Sequence, residues 1–393
     1  MASDPLLCIQ QETETIEVLR ANDVKTYRIS VAKGDGIGPE IVSSTLDVLE
    51  KLQAYYRQDV CIELKEVLVG WEAYNKFANS LPEESIRQME SVDGLILGPL
   101  SLGTYPPSDP GGPSPSGKIR KHFDLYANIR PTISYGFNKC YPKGKVDLVI
   151  VRENTEGFYA DRNMFEGNGE FKPNRDVALS VRVINRESCR RVIRAAFELA
   201  KHRSGKVTAV HKGNVLKMTD GLFLEEFKNT AQQYSSIQAD DKIVDTMAYE
   251  LVLHPERYDV IVTTNMYGDI LTDEAAAIAG SLGLAPSLNA GENYAMAQAA
   301  HGSAPDIAGK GIANPLAEIM SLNMLLDWFA QRNNDVKLLQ MSKTLRNALK
   351  GTIDNTETLT PDMGGKGTTV SITKLVIEKI TEEVTKKNAK TMV

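Results

Sequence analysis

The chain contains 393 residues, a length at which a single hydrophobic core usually stops growing, so the sequence predicts two domains. With 42% hydrophobic residues, 24% charged residues and a formal net charge of −6, it has the composition of an ordinary globular protein rather than of a nucleic-acid binder. Its four cysteines form no Cys-x-x-Cys pair, and no apolar run approaches the roughly 18 residues of a membrane span, which indicates a cytoplasmic protein with reduced thiols.

The predicted elements begin after an acidic, partly ordered leader that covers residues 1–25. A strand over residues 27–32 ends in the glycine-rich turn KGDGIGPE, and Pro39 then opens a helix that continues to Leu52. The glycines are spaced G-x-G-x-G and proline follows directly, so the turn does not match the dinucleotide-binding fingerprint G-x-G-x-x-G. We interpret it as a tight strand-to-helix turn at the edge of a cleft.

Strands and helices alternate along the chain, which predicts an α/β fold. Residues 99–117 are rich in Pro, Gly and Ser, and so long a loop within a compact domain is usually functional. A helix is expected to restart at Ile119, and residues 164–174 are expected to form a polar hairpin or arm. The other predicted strands cover residues 61–67, 94–98, 147–151, 206–210 and 260–262, and the other helices cover residues 82–91, 187–202, 222–234, 269–279 and much of the C-terminal part.

The segment YDVIVTTNMYGDILTD, residues 258–273, combines a buried strand, a turn over residues 263–268 and the start of a helix at Asp269. Asp269 and Asp273 are four residues apart and therefore lie on one helix face, one turn from each other. Such a pair of carboxylates suits a hard, oxygen-preferring cation such as Mg²⁺ or Mn²⁺. The alternative is that Asp269 caps the helix and Asp273 is a solvated surface charge.

Arg120, Arg130 and Arg152 each end or follow a structural element, and Arg152 comes directly after the strand at residues 147–151. Ligands of α/β proteins bind at the carboxyl ends of parallel strands. The planar guanidinium binds carboxylates in bidentate fashion, so three converging arginines predict a small substrate rich in carboxylates. Ordinary surface ion pairs are the alternative.

Two further side chains are candidates for acid–base chemistry. Lys212 directly follows a predicted buried strand, and a lysine near a metal ion and other cations has a lowered proton affinity, which suits a general base. Tyr159 follows Arg152 after a short turn and offers a phenol as the acid. The alternative for Tyr159 is packing, because a tyrosine in such a turn is usually part of the core.

The segment HGSAPDIAGKGIANP, residues 301–315, is rich in small residues that let the backbone approach a flat ligand closely. Within it, Asp306 can accept hydrogen bonds from an adenosine ribose diol, as an acidic residue does in NAD sites, whereas a basic residue would favour a 2′-phosphate. The alternative is a glycine-rich surface loop.

These segments together resemble the isocitrate/3-isopropylmalate dehydrogenase family, the β-decarboxylating 2-hydroxyacid dehydrogenases. Seven motifs occur in the family's order, namely GDGIGPE, LYANIRP, VRENTEG-x-Y, VHKGNVLK-x-TDGLF, N-x-YGDILTDEAA, HGSAPDIAGKGIANP and TPDMGGKGTT. The resemblance implies a two-lobed α/β fold with a mixed sheet, unrelated to the Rossmann type. It also implies a large nucleotide-binding domain over residues 26–125 and 280–393, and a small domain over residues 126–279 that carries the dimer interface and the arm.

The resemblance implies roles for individual residues. Tyr159 and Lys212 would be acid and base, with Lys212 reaching into the partner subunit's site, and an obligate homodimer or a multiple of one follows. The residues that would bind substrate carboxylates are Arg120, Arg130 and Arg152. The ligands of Mg²⁺ or Mn²⁺ would be Asp269, Asp273 and the partner's Asp245. The residues that would contact the cofactor are Asn214, His301, Gly302, Ser303, Ala304, Pro305, Asp306, Ile307 and Asn314. The pair Asp306-Ile307 resembles that of the NAD-using members.

The chemistry that the resemblance implies is a metal-dependent oxidative decarboxylation. Lys212 would take the hydroxyl proton of the substrate while C2 gives hydride to NAD⁺, and the resulting β-keto acid would lose CO₂ before Tyr159 protonates the enolate. The metal would lower the pKa of the hydroxyl and stabilise the enolate.

The loop before Arg120 favours isocitrate among the family's substrates. Isocitrate enzymes are similar in having Ser six and Asn four residues before this arginine, where the present chain has Ser114 and Ser116. The side chains with which isopropylmalate enzymes bury the isopropyl group are missing, since Pro113, Ser116 and Gly117 stand in their places. Isopropylmalate, tartrate or D-malate, and homoisocitrate remain alternatives. A non-catalytic regulatory subunit is an alternative of another class, although the lysine, tyrosine and aspartates of the site are all present.

Overall fold

The structure is a computed structural model that describes residues 24–135, 146–159, 161–354 and 358–391. Residues 1–23 of the predicted leader lie outside the described residues. The strands are β1 (Lys25–Ala32), β2 (Val60–Glu66), β3 (Gly94–Leu97), β4 (Ala127–Ile133), β5 (Asp147–Glu153), β6 (Glu170–Asn174), β7 (Val177–Ser180), β8 (Lys206–His211), β9 (Gln238–Ile243), β10 (Val260–Thr263), β11 (Leu288–Ala290) and β12 (Ala295–Ala297). The helices are α1 (Gly38–Tyr56), α2 (Trp71–Phe77), α3 (Glu83–Glu90), α4 (Pro115–His122), α5 (Arg186–Ala200), α6 (Thr219–Ala231), α7 (Val244–Leu253), α8 (Asn265–Ala279), α9 (Leu316–Arg332), α10 (Val336–Ile353) and α11 (Thr369–Thr391).

Ten of the strands form one mixed sheet in the order β2-β1-β3-β12-β11-β4-β5-β10-β8-β9. The strand pairs toward both edges are parallel. The pairs β12/β11, β11/β4 and β4/β5 in the middle are antiparallel. A doubly wound dinucleotide-binding sheet is mostly parallel, so the predicted mixed, non-Rossmann α/β fold is confirmed. The sheet order also separates residues 127–263 from the strands on either side of them in sequence, although the predicted division into two domains remains a prediction.

The core of the sheet is built from strands with uninterrupted apolar runs. All four residues of β10 are buried, as is β5 after Asp147, which is the pattern of strands covered by helices on both faces. Helix α9 is buried on every side from Leu316 to Ala330 and packs against α1, α10 and β12. None of the described helices combines the length and the hydrophobicity needed to cross a membrane.

Helix α8 begins at Asn265, four residues earlier than the sequence predicts. The predicted turn over residues 263–268 is therefore wrong, and Asp269 lies inside the helix instead of capping it. The misleading residue is Gly268, which suggests a turn but is needed for space, because a Cβ on it would lie 2.5 Å from Cγ of Arg152. Asp269 and Asp273 nevertheless share one helix face, as predicted.

The sequence predicts no regular element for α2, α7, β4, β7, β9, β11 and β12. Strand β4 contains Pro131, which argues against a strand within a sheet. It is tolerated because β11 pairs only with Ala127–Ile129, so the edge of β4 facing β11 carries no partner at the proline. Helix α4 begins at Pro115 instead of Ile119, since the Ser114 hydroxyl accepts a hydrogen bond from the N–H of Gly117 at 3.1 Å and caps it.

The predicted arm is confirmed as a hairpin, displaced toward the C-terminus. Strands β6 and β7 pair in antiparallel register and every residue in them is exposed. Several exposed side chains of this region are apolar, namely Phe165, Phe171, Val177 and Leu179. An apolar, solvent-exposed hairpin is typical of a segment that contacts another molecule.

Candidate active site

Three of the predicted site residues meet at Asp269 of α8. Arg152, from the end of β5, donates through Nη1 to Oδ1 of Asp269, and the Tyr159 hydroxyl donates to Oδ2 at 2.7 Å. Arg130, from the adjacent strand β4, brings Nη2 to 3.6 Å from the same Oδ1. Arg152 also donates to the Tyr159 hydroxyl at 2.9 Å. The arrangement joins a carboxylate, a phenol and two guanidinium groups across strands that neighbour each other in the sheet.

Both guanidinium groups are fixed by neutral partners as well. Asn265, at the first turn of α8, accepts through Oδ1 from Nε and Nη2 of Arg152 at 3.0 and 2.6 Å. Arg130 donates to Asn128 Oδ1 at 2.8 Å and to Thr272 Oγ1 at 2.6 Å. Side chains held at several atoms lose little further conformational entropy when a ligand binds, so the site is preorganised.

Arg120 projects from α4 toward the same region but contacts only neutral groups. Its Nη1 donates to Asn154 Oδ1 at 3.2 Å, and its Nη2 donates to Gln298 Oε1 at 3.1 Å. Gln298 in turn lies three residues before His301, so it links the arginines to the start of the predicted nucleotide loop. Within the described residues Arg120 has no carboxylate partner, and its buried Nε has no hydrogen-bond acceptor.

The sequence did not single out Arg162, which the structure adds to this group. Its side chain is 3% exposed, and its guanidinium carbon lies 4.5 Å from the centroid of the Tyr159 ring. Nε lies 3.5 Å from Asp161 Oδ2. Its position three residues after Tyr159, where its N–H donates to the Tyr159 carbonyl at 2.9 Å, could have revealed it. An arginine in a polar segment is, however, usually a surface residue.

The electrostatics of the cluster favour an anionic ligand. Burial lowers the pKa of Arg130 to about 10, with the charge of Arg152 acting in the same direction. Burial also lowers the pKa of Arg120, and the charges of Arg162, Arg152 and Arg130 lower it further. Because guanidinium groups are not deprotonated in proteins, an anion that enters would relieve the repulsion between them.

The acid and the carboxylate of the site hold opposite protonation states at neutral pH. Burial raises the pKa of Tyr159, which stays protonated. Burial opposes the ionisation of Asp269 as well, but Arg152 and Arg130 outweigh it and lower the pKa of this carboxyl. The site therefore presents a proton donor beside a carboxylate oxygen acceptor.

Asp273 lies one turn after Asp269 on α8, with Arg130 Nη1 at 3.9 Å from its Oδ1. The two carboxyl side chains are 62% and 44% exposed, respectively, so both offer oxygen atoms to solvent. Burial raises the pKa of Asp273, which Arg130 only partly offsets. In the described part of the chain no third metal-ligating side chain joins this pair.

Lys212 and Asp245 form a second group, with Lys212 Nζ donating to Asp245 Oδ1. The pair lies where β8 and β9 end, and the N–H of Lys212 donates to the buried Asp220 at 2.6 Å. Asn214 is exposed in the turn that follows. Among the residues described here, neither Lys212 nor Asp245 makes a hydrogen bond or an ion pair with Asp269, so one chain alone does not assemble the full predicted set.

The loop at residues 301–315 packs on the glycine-rich turn that follows β1. The N–H of Ile37 donates to the carbonyl of Ser303 at 2.8 Å, and a Cβ on Gly36 would lie 1.9 Å from that oxygen. Ser303 Oγ also lies 2.9 Å from Ser101 Oγ. The turn thus serves as a close packing partner of the loop, which agrees with its interpretation as a tight turn at a cleft edge.

The predicted cofactor residues divide into exposed and structural ones. Gly302, Pro305 and Asp306 are exposed, whereas Ser303 is buried and Ala304 and Ile307 are partly buried. His301 keeps a buried Nε2 without a partner among the described residues, while its Nδ1 lies 3.0 Å from the Gly302 carbonyl. Asn314 is buried and shapes the loop, because its Oδ1 accepts from Leu316 N–H and its Nδ2 donates to Asp362, each at 3.0 Å.

The two serines predicted to reach the substrate lie at the start of α4. Ser114 Oγ is occupied as the cap of this helix, and Ser116 is buried in its first turn. Both precede Arg120 on the helix. A role in substrate binding remains a prediction for each of them.

Glu318 is a buried carboxyl group that contacts the chain just before the predicted nucleotide loop, and the sequence did not indicate it. It is fully buried in α9, its Oε2 accepts from the N–H of Ala299 at 2.8 Å, and its Oε1 has no partner among the described residues. Burial raises its pKa to about 8, so it is protonated in the folded chain at neutral pH.

Replacing Glu318 by glutamine should change how the stability depends on pH. The unfolded chain releases this proton near pH 4.5 and the folded chain releases it near 8, so the wild-type protein loses stability as the pH rises through this interval. Glutamine does not titrate. The free energy of unfolding of Glu318→Gln, relative to that of the wild type, should therefore rise by on the order of 4 kcal/mol between pH 5 and 8. Thermal unfolding midpoints across this range measure the difference, and the exposed Glu378→Gln serves as the control. Parallel curves for Glu318→Gln and wild type would contradict the assignment.

Comparisons with known proteins agree with this fold. A sequence model of the isocitrate/isopropylmalate dehydrogenase family matches residues 28–384. Homoisocitrate dehydrogenase of Methanocaldococcus jannaschii is 41% identical over 86% of this chain and 93% of its own length. 3-Isopropylmalate dehydrogenase of Sulfurisphaera tokodaii is 37% identical over 90% of this chain and 99% of its own. The crystal structure of isocitrate dehydrogenase from Methylococcus capsulatus superposes with a TM-score of 0.79 at 36% identity, covering 90% of this chain and 99% of that one.

The chain belongs to the isocitrate/isopropylmalate dehydrogenase family. It is an enzyme, a decarboxylating dehydrogenase. The three relatives act by name on different acids, so they leave the substrate open.

Proposed function

We propose that this enzyme catalyses the NAD⁺-linked, divalent-metal-dependent oxidative decarboxylation of a 2-hydroxycarboxylic acid, with isocitrate as the first candidate. The observation that supports it best is the meeting of Arg130, Arg152 and Tyr159 at Asp269. This group offers donors for the substrate carboxylate, a protonated phenol and a carboxylate ligand within one cluster. Homoisocitrate is the second candidate, and 3-isopropylmalate, tartrate and D-malate follow.

In the proposed mechanism the arginines bind and orient the substrate carboxylates, and Lys212 accepts the proton of the substrate hydroxyl. Tyr159 then donates its proton to the carbon that has lost CO₂, and its raised pKa keeps that proton in place until it is needed. When bound, the divalent cation supplies polarisation of the substrate oxygens and NAD⁺ supplies the hydride acceptor.

The carboxylates of α8 fit a divalent cation. Asp269 and Asp273 are partly exposed, one turn apart, and offer the oxygen ligands that Mg²⁺ or Mn²⁺ prefers. The loop that begins at His301 fits a nucleotide, because the buried Nε2 of His301 has no partner among the described residues and Gly302 leaves open space where a Cβ would lie. Asp306 is exposed at the tip, which suits a ribose diol and therefore NAD⁺.

A homodimer would complete the site. Lys212 and Asp245 pair with each other away from Asp269, which is expected if they serve the partner subunit's site. Exposed apolar side chains stand beside both halves, with Ile270 next to Asp269 and Tyr249 one turn from Asp245. Burying such side chains against a second copy would bring Lys212 and Asp245 of one chain to the aspartates of the other.

The test is an absorbance assay for reduced nicotinamide with Mg²⁺ and either NAD⁺ or NADP⁺. The acids compared at matched concentrations are isocitrate, homoisocitrate, 3-isopropylmalate, D-malate and tartrate. We expect the highest turnover with isocitrate and NAD⁺. A preference for another of these acids would overturn the choice of substrate alone, whereas no turnover on any of them with either nucleotide would overturn the proposed function.

A further inference from the structure

The buried guanidinium of Arg162 lies beside the Tyr159 ring and has no role in the proposed mechanism. Its side chain is 3% exposed, and its Nε has no hydrogen-bond acceptor among the described residues. Its contacts are an ion pair with Asp161 at 3.5 Å and a long hydrogen bond from Nη1 to the carbonyl of Asn154, also at 3.5 Å. A buried guanidinium with so few and such long polar contacts is costly, so its persistence points to a ligand that supplies further acceptors.

Arg162 and Arg120 gather around the same residue. Arg120 donates to the side-chain oxygen of the fully buried Asn154, and Arg162 donates to its backbone oxygen. Among the described residues, Arg120 Nε has no hydrogen-bond acceptor, and Arg162 Nε has only the 3.5 Å ion pair with Asp161. After burial itself, the charge of Arg162 is the strongest influence that lowers the pKa of Arg120, ahead of Arg152 and Arg130. Two buried cations that share Asn154, and of which Arg162 alone has an ion pair among the described residues, favour a further anion.

The helix α4 leaves room for this arrangement at Gly117. A Cβ on Gly117 would lie 2.7 Å from Nε and 2.8 Å from Nη2 of Arg162, and 2.4 Å from Oδ2 of Asp161. The guanidinium therefore lies directly against the first turn of α4, three residues before Arg120. An apolar side chain at position 117 would occupy the space that Arg162 takes.

We propose that Arg162, together with Arg120, binds the carboxylate by which a tricarboxylic 2-hydroxy acid differs from a dicarboxylic one, and so determines the enzyme's specificity. The inference rests on the proposed function and narrows its substrate class to tricarboxylic acids such as isocitrate or homoisocitrate. Among the described residues, an isopropyl group in this place would leave these two buried guanidinium groups with no ion pair beyond that of Arg162 with Asp161, whereas a carboxylate would offer acceptors to both.

The kinetic test compares Arg162→Gln with the wild type on isocitrate, homoisocitrate and D-malate. A hydrogen bond to a charged group contributes about 1.5–3 kcal/mol, so kcat/KM for the tricarboxylic acids should fall about 10- to 100-fold more than kcat/KM for D-malate, mainly through KM. Arg162→Lys keeps the charge without the planar fork and should recover part of the loss. Equal losses on all three acids would overturn the proposal, because they would indicate a general structural role beside Tyr159.

Two further variants keep the test valid if Arg162→Gln folds poorly. Gly117→Ala leaves Arg162 in the chain but displaces its guanidinium, and should shift the selectivity in the same direction. The matched control is Arg203→Gln, which removes another largely buried arginine. Its partner Asp147 begins β5 and its partner Asp259 directly precedes β10, whereas Arg152 lies near the other end of β5. Arg203→Gln should lower stability without changing the ratio of kcat/KM between the acids. A changed ratio in this control, or an unchanged one in Gly117→Ala, would count against Arg162.

A binding measurement separates this inference from the proposed function. Propane-1,2,3-tricarboxylate and pentane-1,5-dioate carry three and two carboxylates and have no hydroxyl to oxidise, so their effect on the thermal unfolding midpoint needs no turnover. We expect the trianion to stabilise the wild-type protein more than the dianion does, and this difference to vanish in Arg162→Gln. A difference that survives the substitution would overturn the proposal even if the enzyme oxidises isocitrate. Turnover absent with every acid, but a trianion effect that depends on Arg162, would overturn the proposed function alone.

Discussion

Alanine in place of Lys212 should lower kcat by about 10²- to 10⁴-fold, the usual contribution of a positioned general base. The backbone N–H of Lys212 donates to Asp220 and its Nζ donates to Asp245, so the substitution removes a positioned amine and leaves the hydroxyl proton without its proposed acceptor. KM should change much less, because the arginines that bind the substrate are untouched. Steady-state kinetics on the best substrate measure both quantities.

The matched control is Lys228→Ala, which removes an exposed lysine from the last turn of α6. It should leave kcat and KM as they are in the wild type. A Lys212→Ala enzyme with wild-type turnover would contradict the base assignment, and the proton acceptor would have to be sought elsewhere.

Asparagine in place of Asp269 should abolish measurable turnover at ordinary Mg²⁺ concentrations. The change removes an ionised ligand, so the apparent affinity for the cation should fall by more than the roughly 10- to 100-fold that loss of an outer-sphere partner costs. It also leaves Arg152 without its carboxylate partner, and some loss of stability is expected as well. The cation dependence of the thermal unfolding midpoint measures binding independently of activity.

The control for Asp269→Asn is Glu274→Gln, which changes a carboxyl group on the same helix that has no predicted ligand role. Its cation affinity should equal that of the wild type. Wild-type cation affinity in Asp269→Asn would show that the carboxylates of α8 are not the ligands.

Mixing the two inactive variants tests whether active sites are shared. In a dimer of one Lys212→Ala chain and one Asp269→Asn chain, one of the two sites would hold an intact lysine and an intact aspartate. Random reassociation of equal amounts should therefore restore about a quarter of wild-type activity. A mixture that remains inactive after verified subunit exchange would indicate that Lys212 serves its own chain.

The residues that meet at Asp269 could be predicted from the sequence because each lies in a short local pattern. The strand before Arg152 is a continuous apolar run, and the spacing of Asp269 and Asp273 places them on one helix face whether the helix begins at residue 265 or 269. Arg130, Arg152, Tyr159 and Asp269 were each selected on such grounds, and the structure brings them together. Their meeting spans 117 residues of sequence between Arg152 and Asp269, a distance over which local patterns carry no information.

Tertiary packing decided the features that the sequence alone missed. Gly268 suggests a turn until Arg152 is found packed against it, and Pro131 argues against a strand until β11 is seen to stop before it. Arg162 and Glu318 resemble surface residues because charged side chains usually are, and only the surrounding elements bury them. The sequence by itself thus determined which groups are available for chemistry and which local structures carry them. The tertiary structure decided which groups are buried together, because burial and repulsion depend on contacts between distant segments.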